Sequence, residues 1–532
     1  MRTGPRAWCM AGVAILVLAL AGTGAGAAPT RGGTLTVGLD QEPPTIDPHA
    51  SPSAVTYWIT ASLGENLLYE GLDGKLVPWL ATAYKVSPDG KNFTFTLRKD
   101  VKFSDGAPLN AAAIKWNFDR IVDPNFKAGG ALLGLKGYAG SKVIDDSTVE
   151  VTFKEPYAPF LTNVSGGTLA LLSPKTTPTQ GDAVNQKPVT SGAFVVTEYS
   201  QKDHVTIVRN PEYNRKAPWS DHQGPAYLDR VVFKIVPESG TRITTLQSGE
   251  TQMISALNAP AAVLARLDRD KTLRVERNPY TGAPRIWLLN VTMPPTNDIK
   301  VRQAINYGVN RLAFVESVYK GLGKAACSPL TQAMLPAPEL CKQYAYNPQK
   351  AAQLFEEAGW KMGPNNVRMK DGKPLTILIN SINYGAGNLP EIELLQGQLI
   401  QLGVDAKIKS QARPPWYEDN YHCATNGPVM FLRSTDWDGL GALFDTSFVH
   451  SNFNWSCYSN PEVDKLISQG RTEFDPAKRR AIYLRMEKIL VDQAVTVPLV
   501  DEFSVWAMRA NVKGTTYNYS AYPIFTDVYL SK

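Results

Sequence analysis

The stretch that decides the fold is residues 67–117, which read LLYEGLDGKLVPWLATAYKVSPDGKNFTFTLRKDVKFSDGAPLNAAAIKWN. Phe93, Phe95 and Leu97 alternate with polar residues, the two-residue period of a half-buried strand. Turn signals flank this strand at residues 88–90 and 105–106, where glycine supplies the positive φ that tight turns often need. Asn110 is a predicted N-cap for a helix with Ile114, Phe118 and Ile121 on one face.

Strand and helix patterns alternate along the rest of the chain, which predicts an α/β fold. Residues 33–39 and 231–236 are short apolar strands, and residues 148–153 close a hairpin. The second half is richer in helices, with start signals at Asp298 and at Asn347, which precedes a proline. The same asparagine-proline or aspartate-proline signal recurs at residues 460–461 and 475–476.

The N-terminus has the pattern of a cleavable secretory signal. Arg2 and Arg6 precede an apolar run over residues 11–21, and small residues then end at Ala27. Cys9 lies before the apolar run, whereas a lipoprotein cysteine would follow it. The sequence therefore predicts a signal peptide over residues 1–27 and a mature protein without a lipid anchor in the periplasm.

Composition and charge exclude some classes of function. The chain has 532 residues and a formal net charge of +6, spread along the sequence without a run of lysine or arginine. Such a distribution does not predict a nucleic-acid or membrane-surface patch. The length is enough for two or three hydrophobic cores, because single cores stop growing near about 250–300 residues.

Four cysteines would remain after signal cleavage, namely Cys327, Cys341, Cys423 and Cys457. An even number in an exported chain suggests disulfides, and four cysteines allow three connectivities. The pairing of Cys327 with Cys341 and of Cys423 with Cys457 is favoured, because each pair closes a local loop. No CxxC motif occurs, so no metal site is predicted from these cysteines.

Several segments, taken in order, resemble one protein family. Residues 191–194 (SGAF) and 209–213 (RNPEY), 245–250 (TLQSGE) and 301–307 (VRQAINY) are similar to segments of the family 5 solute-binding proteins of bacterial ABC importers. The opening stretch at residues 67–117 resembles the same family. The resemblance implies a receptor that carries a small molecule, is not an enzyme and needs no cofactor.

The resemblance also implies a bilobal periplasmic-binding-protein fold with a discontinuous lobe I. Lobe I would take residues 28–283, with an inserted subdomain at about 56–189, and residues 500–532 would return to it. Lobe II would take residues 284–499. The crossing segments, near residues 283–287 and 498–502, are a predicted two-segment hinge about which the lobes close on a ligand.

The predicted ligand site centres on residues 433–438 (RSTDWD), which concentrate charge and an aromatic ring. By position, Asp436 resembles the family aspartate that holds a peptide's terminal ammonium, and Trp437 follows it. The alternative is that Asp436 or Asp438 caps a helix beginning near Gly439.

Further candidates come from charge and aromaticity. Arg433 and Arg413 have the bidentate geometry that suits a ligand carboxylate. Trp416 and Tyr384 are candidate aromatic walls, although core packing is an equal alternative. In lobe I, Tyr57 and Trp58 follow a proline-rich loop at residues 42–47 that resembles the family's approach to the cleft.

The expected partners are a small molecule or short peptide and a membrane permease with its ATPases, because no GxxxxGK[ST] motif occurs in the chain. We do not expect the protein to bind nucleic acid. We expect it to be a monomer. A membrane sensor is an alternative partner. A secreted hydrolase is a weaker alternative, since the chain lacks GxSxG and HExxH motifs. Nickel or haem carriage is a third, and peptides, opines, glutathione, sugars and bile-acid-like solutes all remain possible ligands.

Overall fold

The computed structural model describes residues 1, 4, 29–51, 53–256, 259–382 and 389–531. Its strands are β1 Thr34–Leu39, β2 Leu68–Glu70, β3 Leu76–Pro78, β4 Ala81–Val86, β5 Asn92–Leu97, β6 Tyr138–Asp145, β7 Thr148–Phe153, β8 Phe194–Ser200, β9 His204–Arg209, β10 Arg230–Ile235, β11 Met253–Ser255, β12 Leu273–Pro279, β13 Gly282–Leu288, β14 Gly323–Ala325, β15 Lys361–Met362, β16 Arg368–Lys370, β17 Lys373–Pro374, β18 Thr376–Ile382, β19 Asp405–Gln411, β20 Val429–Arg433, β21 Thr496–Arg509, β22 Val512–Lys513, β23 Thr516–Tyr517, β24 Pro523–Ile524 and β25 Tyr529–Leu530.

The α-helices alternate with these strands. They are α1 Ala54–Thr60, α2 Ala111–Val122, α3 Ala131–Gly134, α4 Phe160–Asn163, α5 Thr177–Gln180, α6 Ser239–Ser248, α7 Ala261–Arg269, α8 Ile299–Gly308, α9 Arg311–Ala313, α10 Pro348–Glu357, α11 Leu389–Gln401, α12 Arg413–Tyr421, α13 Gly439–Phe444, α14 Pro461–Thr472 and α15 Pro476–Asp492. A π-helical turn lies at Phe314–Val318, and short 3₁₀ helices lie at Gly167–Leu169, Gly181–Asn185, Leu340–Lys342, Pro364–Asn366 and Thr446–Phe448. None of the helices in the described ranges is both long and apolar enough to cross a membrane.

The inserted subdomain is built as the opening stretch predicts. Phe93, Phe95 and Leu97 of β5 are buried, and β5 lies in a sheet of order β4-β5-β7-β6. The Asn110 side chain accepts a hydrogen bond from the Ala113 N–H at 3.1 Å and so caps α2. Helix α2 packs its apolar face on this sheet, which gives the subdomain a hydrophobic core of its own.

Lobe I surrounds a mixed sheet. Strand β1 pairs in parallel with β10 and β11, and β10, β9 and β8 continue the sheet in antiparallel fashion. Its core combines β1 with the segment after β21, including Tyr517, Tyr522 and Phe525. The C-terminal residues therefore belong to the same core as the N-terminal strand.

Lobe II has two further cores. One packs α8, α10 and α11 around the parallel pair β18 and β19. The other includes residues of α13, α14 and α15. Cys327 pairs with Cys341 and Cys423 with Cys457, with Cα–Cα distances of 4.8 and 6.3 Å, and this confirms the favoured connectivity.

Two adjacent chain segments connect the lobes. Strand β21 pairs along its C-terminal part with β12, from Pro279↔Phe503 to Leu273↔Arg509. Its N-terminal part pairs with β13 in lobe II, from Arg285↔Val500 to Leu288↔Thr496. The fold is therefore the predicted bilobal α/β architecture with a two-segment hinge, and the exact domain limits stay a prediction.

Candidate ligand-binding cleft

Asp436 links the two lobes at the end of the loop after β20. The Arg479 guanidinium donates to both of its carboxylate oxygens, at 2.8 and 2.6 Å. The Thr162 hydroxyl of the inserted subdomain donates to Oδ2 at 2.8 Å, and the Asp438 N–H donates to Oδ1 at 2.7 Å. These four donors match the roughly four acceptor sites of a carboxylate. Burial opposes ionisation, but the charge and hydrogen bonds of Arg479 hold the pKa of Asp436 below its usual value.

Other contacts join the inserted subdomain to lobe II near Asp436. The Ala158 N–H donates to the Arg471 carbonyl at 2.7 Å. Lys136 lies 3.6 Å from the Asp445 carboxylate and 4.2 Å from the centre of the Phe448 ring. Phe474 packs against the subdomain's own core. The two lobes therefore touch along the edge of the cleft.

Arg433 forms a charged cluster where the hinge meets the cleft. Its Nη2 donates to Glu502 Oε2 at 2.8 Å, and Arg285 Nη2 donates to the other oxygen of Glu502 at 2.9 Å. Burial raises the pKa of Glu502, but the two arginines outweigh it and lower that pKa overall. The Arg433 guanidinium also stacks 3.7 Å from the ring centre of Tyr280. Its Nη1 atom is buried and, among the described residues, has no hydrogen-bond acceptor.

Aromatic side chains of lobe I line up beside this cluster. Tyr57 stacks on Tyr522 with the ring centres 6.3 Å apart, and Trp58 meets Trp506 edge-on at 5.1 Å. Burial raises the pKa of Tyr522, as does the neighbouring Tyr280, whereas the Arg433 charge opposes the increase. These electrostatic effects show that Tyr522 lies near both Tyr280 and Arg433. Because Tyr57 stacks on Tyr522, the sequence-predicted Tyr57 of lobe I and Arg433 of lobe II lie on two sides of the same region.

Glu70, at the end of β2, lies close to Asp436. Its backbone carbonyl accepts from the Tyr519 N–H at 3.2 Å, which brings the C-terminal segment beside it. Burial, together with the Asp436 charge, raises the pKa of Glu70 to about 9. The side-chain Oε2 is buried and has no partner among the residues that the structure describes. Three chain segments thus meet around one carboxyl group.

The other predicted site residues lie in different parts of the structure, and of those that the structure describes only Trp437 is beside Asp436 and Arg479. The Trp437 Nε1–H donates to the Met334 carbonyl at 3.1 Å, and its ring lies 5.6 Å from the Arg479 guanidinium. Trp416 is buried against Trp455 in the lobe II core, as its core-packing alternative stated. Arg413 lies exposed at the start of α12, and Tyr384 is outside the described residues.

The alternative is that Asp436 or Asp438 caps a helix that begins near Gly439, and the structure agrees with it in part. Helix α13 begins at Gly439 after Asp438, whose side chain makes no capping hydrogen bond, and the Asp436 carboxylate accepts from the N–H one residue before the helix. A ligand role for Asp436 and the other candidates stays a prediction.

Sequence reasoning missed several residues of this junction, namely Arg285, Glu502, Glu70, Thr162 and Arg479. Glu502 lay inside the predicted hinge, where two adjacent acidic residues, Asp501 and Glu502, in a mostly apolar strand (VPLVDEFSVW, residues 497–506) were an available signal. Thr162 and Arg479 had no comparable signal, because their partners are distant in sequence. Within the described ranges, no group of three or more histidine, cysteine, aspartate or glutamate side chains is arranged to hold a metal ion.

Comparisons with known proteins agree with this architecture. The family model described as bacterial extracellular solute-binding proteins, family 5 middle, matches residues 75–452. The glutathione-binding protein GsiB of Salmonella choleraesuis is 30% identical over 484 residues, covering 88% of this chain and 89% of GsiB.

Solved structures show the same fold. NikA from Brucella suis in complex with Fe(III)-EDTA has a TM-score of 0.83 at 24% identity, covering 94% of this chain and 100% of NikA. The periplasmic binding protein DppA from Helicobacter pylori in complex with the peptide STSA has a TM-score of 0.78 at 24% identity, covering 94% and 99%. With the family model matching most of its length, this chain belongs to the family 5 bacterial extracellular solute-binding proteins.

Proposed function

We propose that this protein is the periplasmic substrate-binding receptor of an ABC importer and captures a small polar solute, a peptide or peptide-like compound, between its lobes. The similarity to a glutathione-binding protein and the shared fold of a peptide-bound receptor support this solute class. The ligand would be released unchanged to a membrane permease, whose ATPases supply the energy. The receptor would act as a monomer, without a cofactor and without catalysis.

The observation that carries the proposal is Arg433. Glu502 occupies one side of its guanidinium and Tyr280 covers its face, while Nη1 points to no acceptor among the described residues. A buried N–H group without an acceptor costs free energy, so a ligand acceptor at this position would be strongly bound. A carboxylate suits it best, because hydrogen bonds between charged groups are the stronger class.

Closure follows from the arrangement of the two lobes. A solute that contacts Arg433 in lobe II and the tyrosines of lobe I binds better when the lobes are together, which shifts the population toward the closed form. We also propose the domain limits given by the sequence, with lobe I at 28–283 and 500–532 and lobe II at 284–499. The separate hydrophobic clusters support this division.

Asp436 retains its predicted role as a partner for a ligand ammonium, subject to one condition. Because four protein donors already occupy its oxygens, an ammonium would have to take the place of one of them. Thr162 is the only one of the four contributed by the other lobe, so it is the donor that an opening movement would remove.

Mass spectrometry of small molecules retained by the purified protein would identify the solute, and titration calorimetry would test Arg433. Arg433→Lys keeps the charge but loses the planar fork, so we expect a carboxylate ligand to bind about 10–100-fold more weakly. Arg230→Lys is the matched control, because the Arg230 side chain is exposed at the start of β10 in lobe I. Equal affinity in the wild type and Arg433→Lys would remove Arg433 from the site, and turnover of the compound would refute a receptor role.

A further inference from the structure

A buried carboxyl oxygen of Glu70 lies where three chain segments meet, beside Asp436 and Tyr519. Glu70 is only 7% exposed, and its Oε2 has no hydrogen-bond partner within the described part of the chain. An unsatisfied buried acceptor costs on the order of 1–3 kcal/mol or more, so a ligand donor that reached this oxygen would be favoured.

The neighbours of Glu70 do not supply the missing donor. The Ser165 hydroxyl lies within hydrogen-bonding reach of the Glu70 carboxyl and acts to lower its pKa, but its proton is directed to the Thr162 carbonyl at 2.7 Å. The Tyr519 N–H is directed to the Glu70 backbone carbonyl. The charged groups that act on it are Asp436 and Asp73, both acidic, and the Arg479 guanidinium is paired with the Asp436 carboxylate. The surroundings of Glu70 are thus electronegative, and a cation would be stabilised there.

We propose that Glu70 receives a positively charged amine of the bound solute and so selects amine-bearing compounds. The inference rests on the proposed receptor function and assigns the solute's amine to the inserted subdomain. In this arrangement, which is the alternative to a direct contact between Asp436 and the ammonium, Asp436 keeps its four protein donors and contributes only its charge to the site. Arg433 and Glu70 would then hold opposite charges of one zwitterionic solute.

Binding of such an amine has a proton signature. The raised pKa of Glu70 means that the free protein holds a proton on this carboxyl at pH 7. An arriving ammonium favours the carboxylate, so the carboxyl proton leaves to solvent while the ammonium keeps all of its own. Binding should therefore release about one proton per ligand at pH 7, and affinity should increase with pH until the α-amine of the ligand itself loses its proton at about pH 8.

The test is calorimetry at pH 7 in buffers of different ionisation enthalpy, with glutathione and a set of unblocked dipeptides as probes and their N-acetylated forms for comparison. Glu70→Gln keeps the shape but cannot carry charge. Glu487→Gln is the matched control, because Glu487 is also buried with one unpartnered oxygen in the described structure, and its pKa is raised to about 8, but it lies in the lobe II core region beside Leu330.

We expect the unblocked probe that binds the wild type to bind Glu70→Gln at least about 30-fold more weakly and without proton release. Glu487→Gln should behave as the wild type, and N-acetylation should weaken binding. Unchanged affinity in Glu70→Gln, equal binding of the acetylated probe, or binding without proton release would each overturn the assignment while leaving the receptor function in place. A wild type that binds none of the probes would overturn both.

Discussion

At the scale of single residues, Asp436 and Arg479 form a buried ion pair in which each needs the other. Arg479 is also close to the Tyr483 ring and donates to the Gly470 carbonyl, so its guanidinium is fixed from several sides. Removing one partner of such a pair leaves a buried charge uncompensated, which is far more costly than the pair is stabilising. A lobe-closing contact is therefore best tested at Thr162 and not at Asp436.

Thr162→Val removes the one hydroxyl that joins the inserted subdomain to Asp436 and leaves the ion pair intact. We expect it to weaken ligand binding by about 1–2 kcal/mol, because the lost hydrogen bond stabilises the closed form. Calorimetry measures the effect, and Thr162→Ser, which keeps the hydroxyl, should bind as the wild type does.

Two other results for Thr162→Val are informative. Unchanged affinity would show that this contact does not contribute to closure. Tighter binding of an amine would show that the ligand takes the place of Thr162 on Asp436, which is the role predicted from the sequence.

Glu487 makes stability depend on pH. Burial raises its pKa to about 8, so the folded protein binds a proton that the unfolded chain loses near pH 4.5. The contribution of Glu487 to the free energy of unfolding is therefore most favourable at low pH and is lost as the pH rises to about 8. Glu487→Gln mimics the protonated form, so its stability relative to the wild type should rise by up to about 1.4 kcal/mol per pH unit in this window.

Thermal unfolding at pH 5, 6.5 and 8 checks the prediction for Glu487. Glu155→Gln serves as the control, since that side chain is 82% exposed and should show no such trend. A constant difference between Glu487→Gln and the wild type across the three pH values would mean that Glu487 is ionised in the folded protein.

At the scale of elements, the hinge strands depend on one close backbone approach. Gly282 opens β13 with φ +105°, and a Cβ there would lie 2.1 Å from the Leu432 carbonyl oxygen of the adjacent strand β20 and 2.6 Å from the nitrogen of Ser434, just after that strand. Any side chain would push β13 away from β20, and Arg433 lies in the same pair.

Gly282→Ala is therefore expected to destabilise the protein by more than about 3 kcal/mol, combining left-handed strain with overlap of backbone atoms. Gly321→Ala is the control. It has a similar φ of +83° but no atom within 4 Å of the added Cβ, so only the strain of about 1–2 kcal/mol applies. If chemical denaturation showed the same decrease in the free energy of unfolding for Gly282→Ala and Gly321→Ala, the close backbone approach at Gly282 would carry no additional cost.

Local elements were predictable from the sequence, whereas the site was only partly so. Strand β5 and the Asn110 cap of α2 follow from spacing and side-chain chemistry within a few residues. The proline-led starts of α10 and α14 follow in the same way, with Asn347 and Asn460 accepting from the first-turn N–H groups.

The cleft partners were not predictable in this way, because they meet only after the lobes have assembled. Arg433 pairs with Glu502, 69 residues away, and Asp436 meets Thr162 across 274 residues. No periodicity links such positions. Trp416 shows how little residue type alone decides, since a tryptophan suits a core and a cleft wall equally well, and this one packs against Trp455.

At the scale of the whole molecule, the proposed closure depends on two features, the separate hydrophobic cores of the lobes and the strand β21 that both lobes share. Each lobe has its own hydrophobic core, so we expect each to move as a body, while β12, β13 and β21 keep the lobes attached. Arg433, Arg285 and Glu502 lie beside this connection, so we expect a ligand that contacts Arg433 to influence the hinge angle.

The most direct test of this account is small-angle X-ray scattering of the protein with and without the solute that mass spectrometry identifies. We predict a smaller radius of gyration in the bound protein and recovery of the solute chemically unchanged. An identical scattering profile in both conditions at saturating ligand, or a modified compound, would contradict the closure of two lobes around a transported solute.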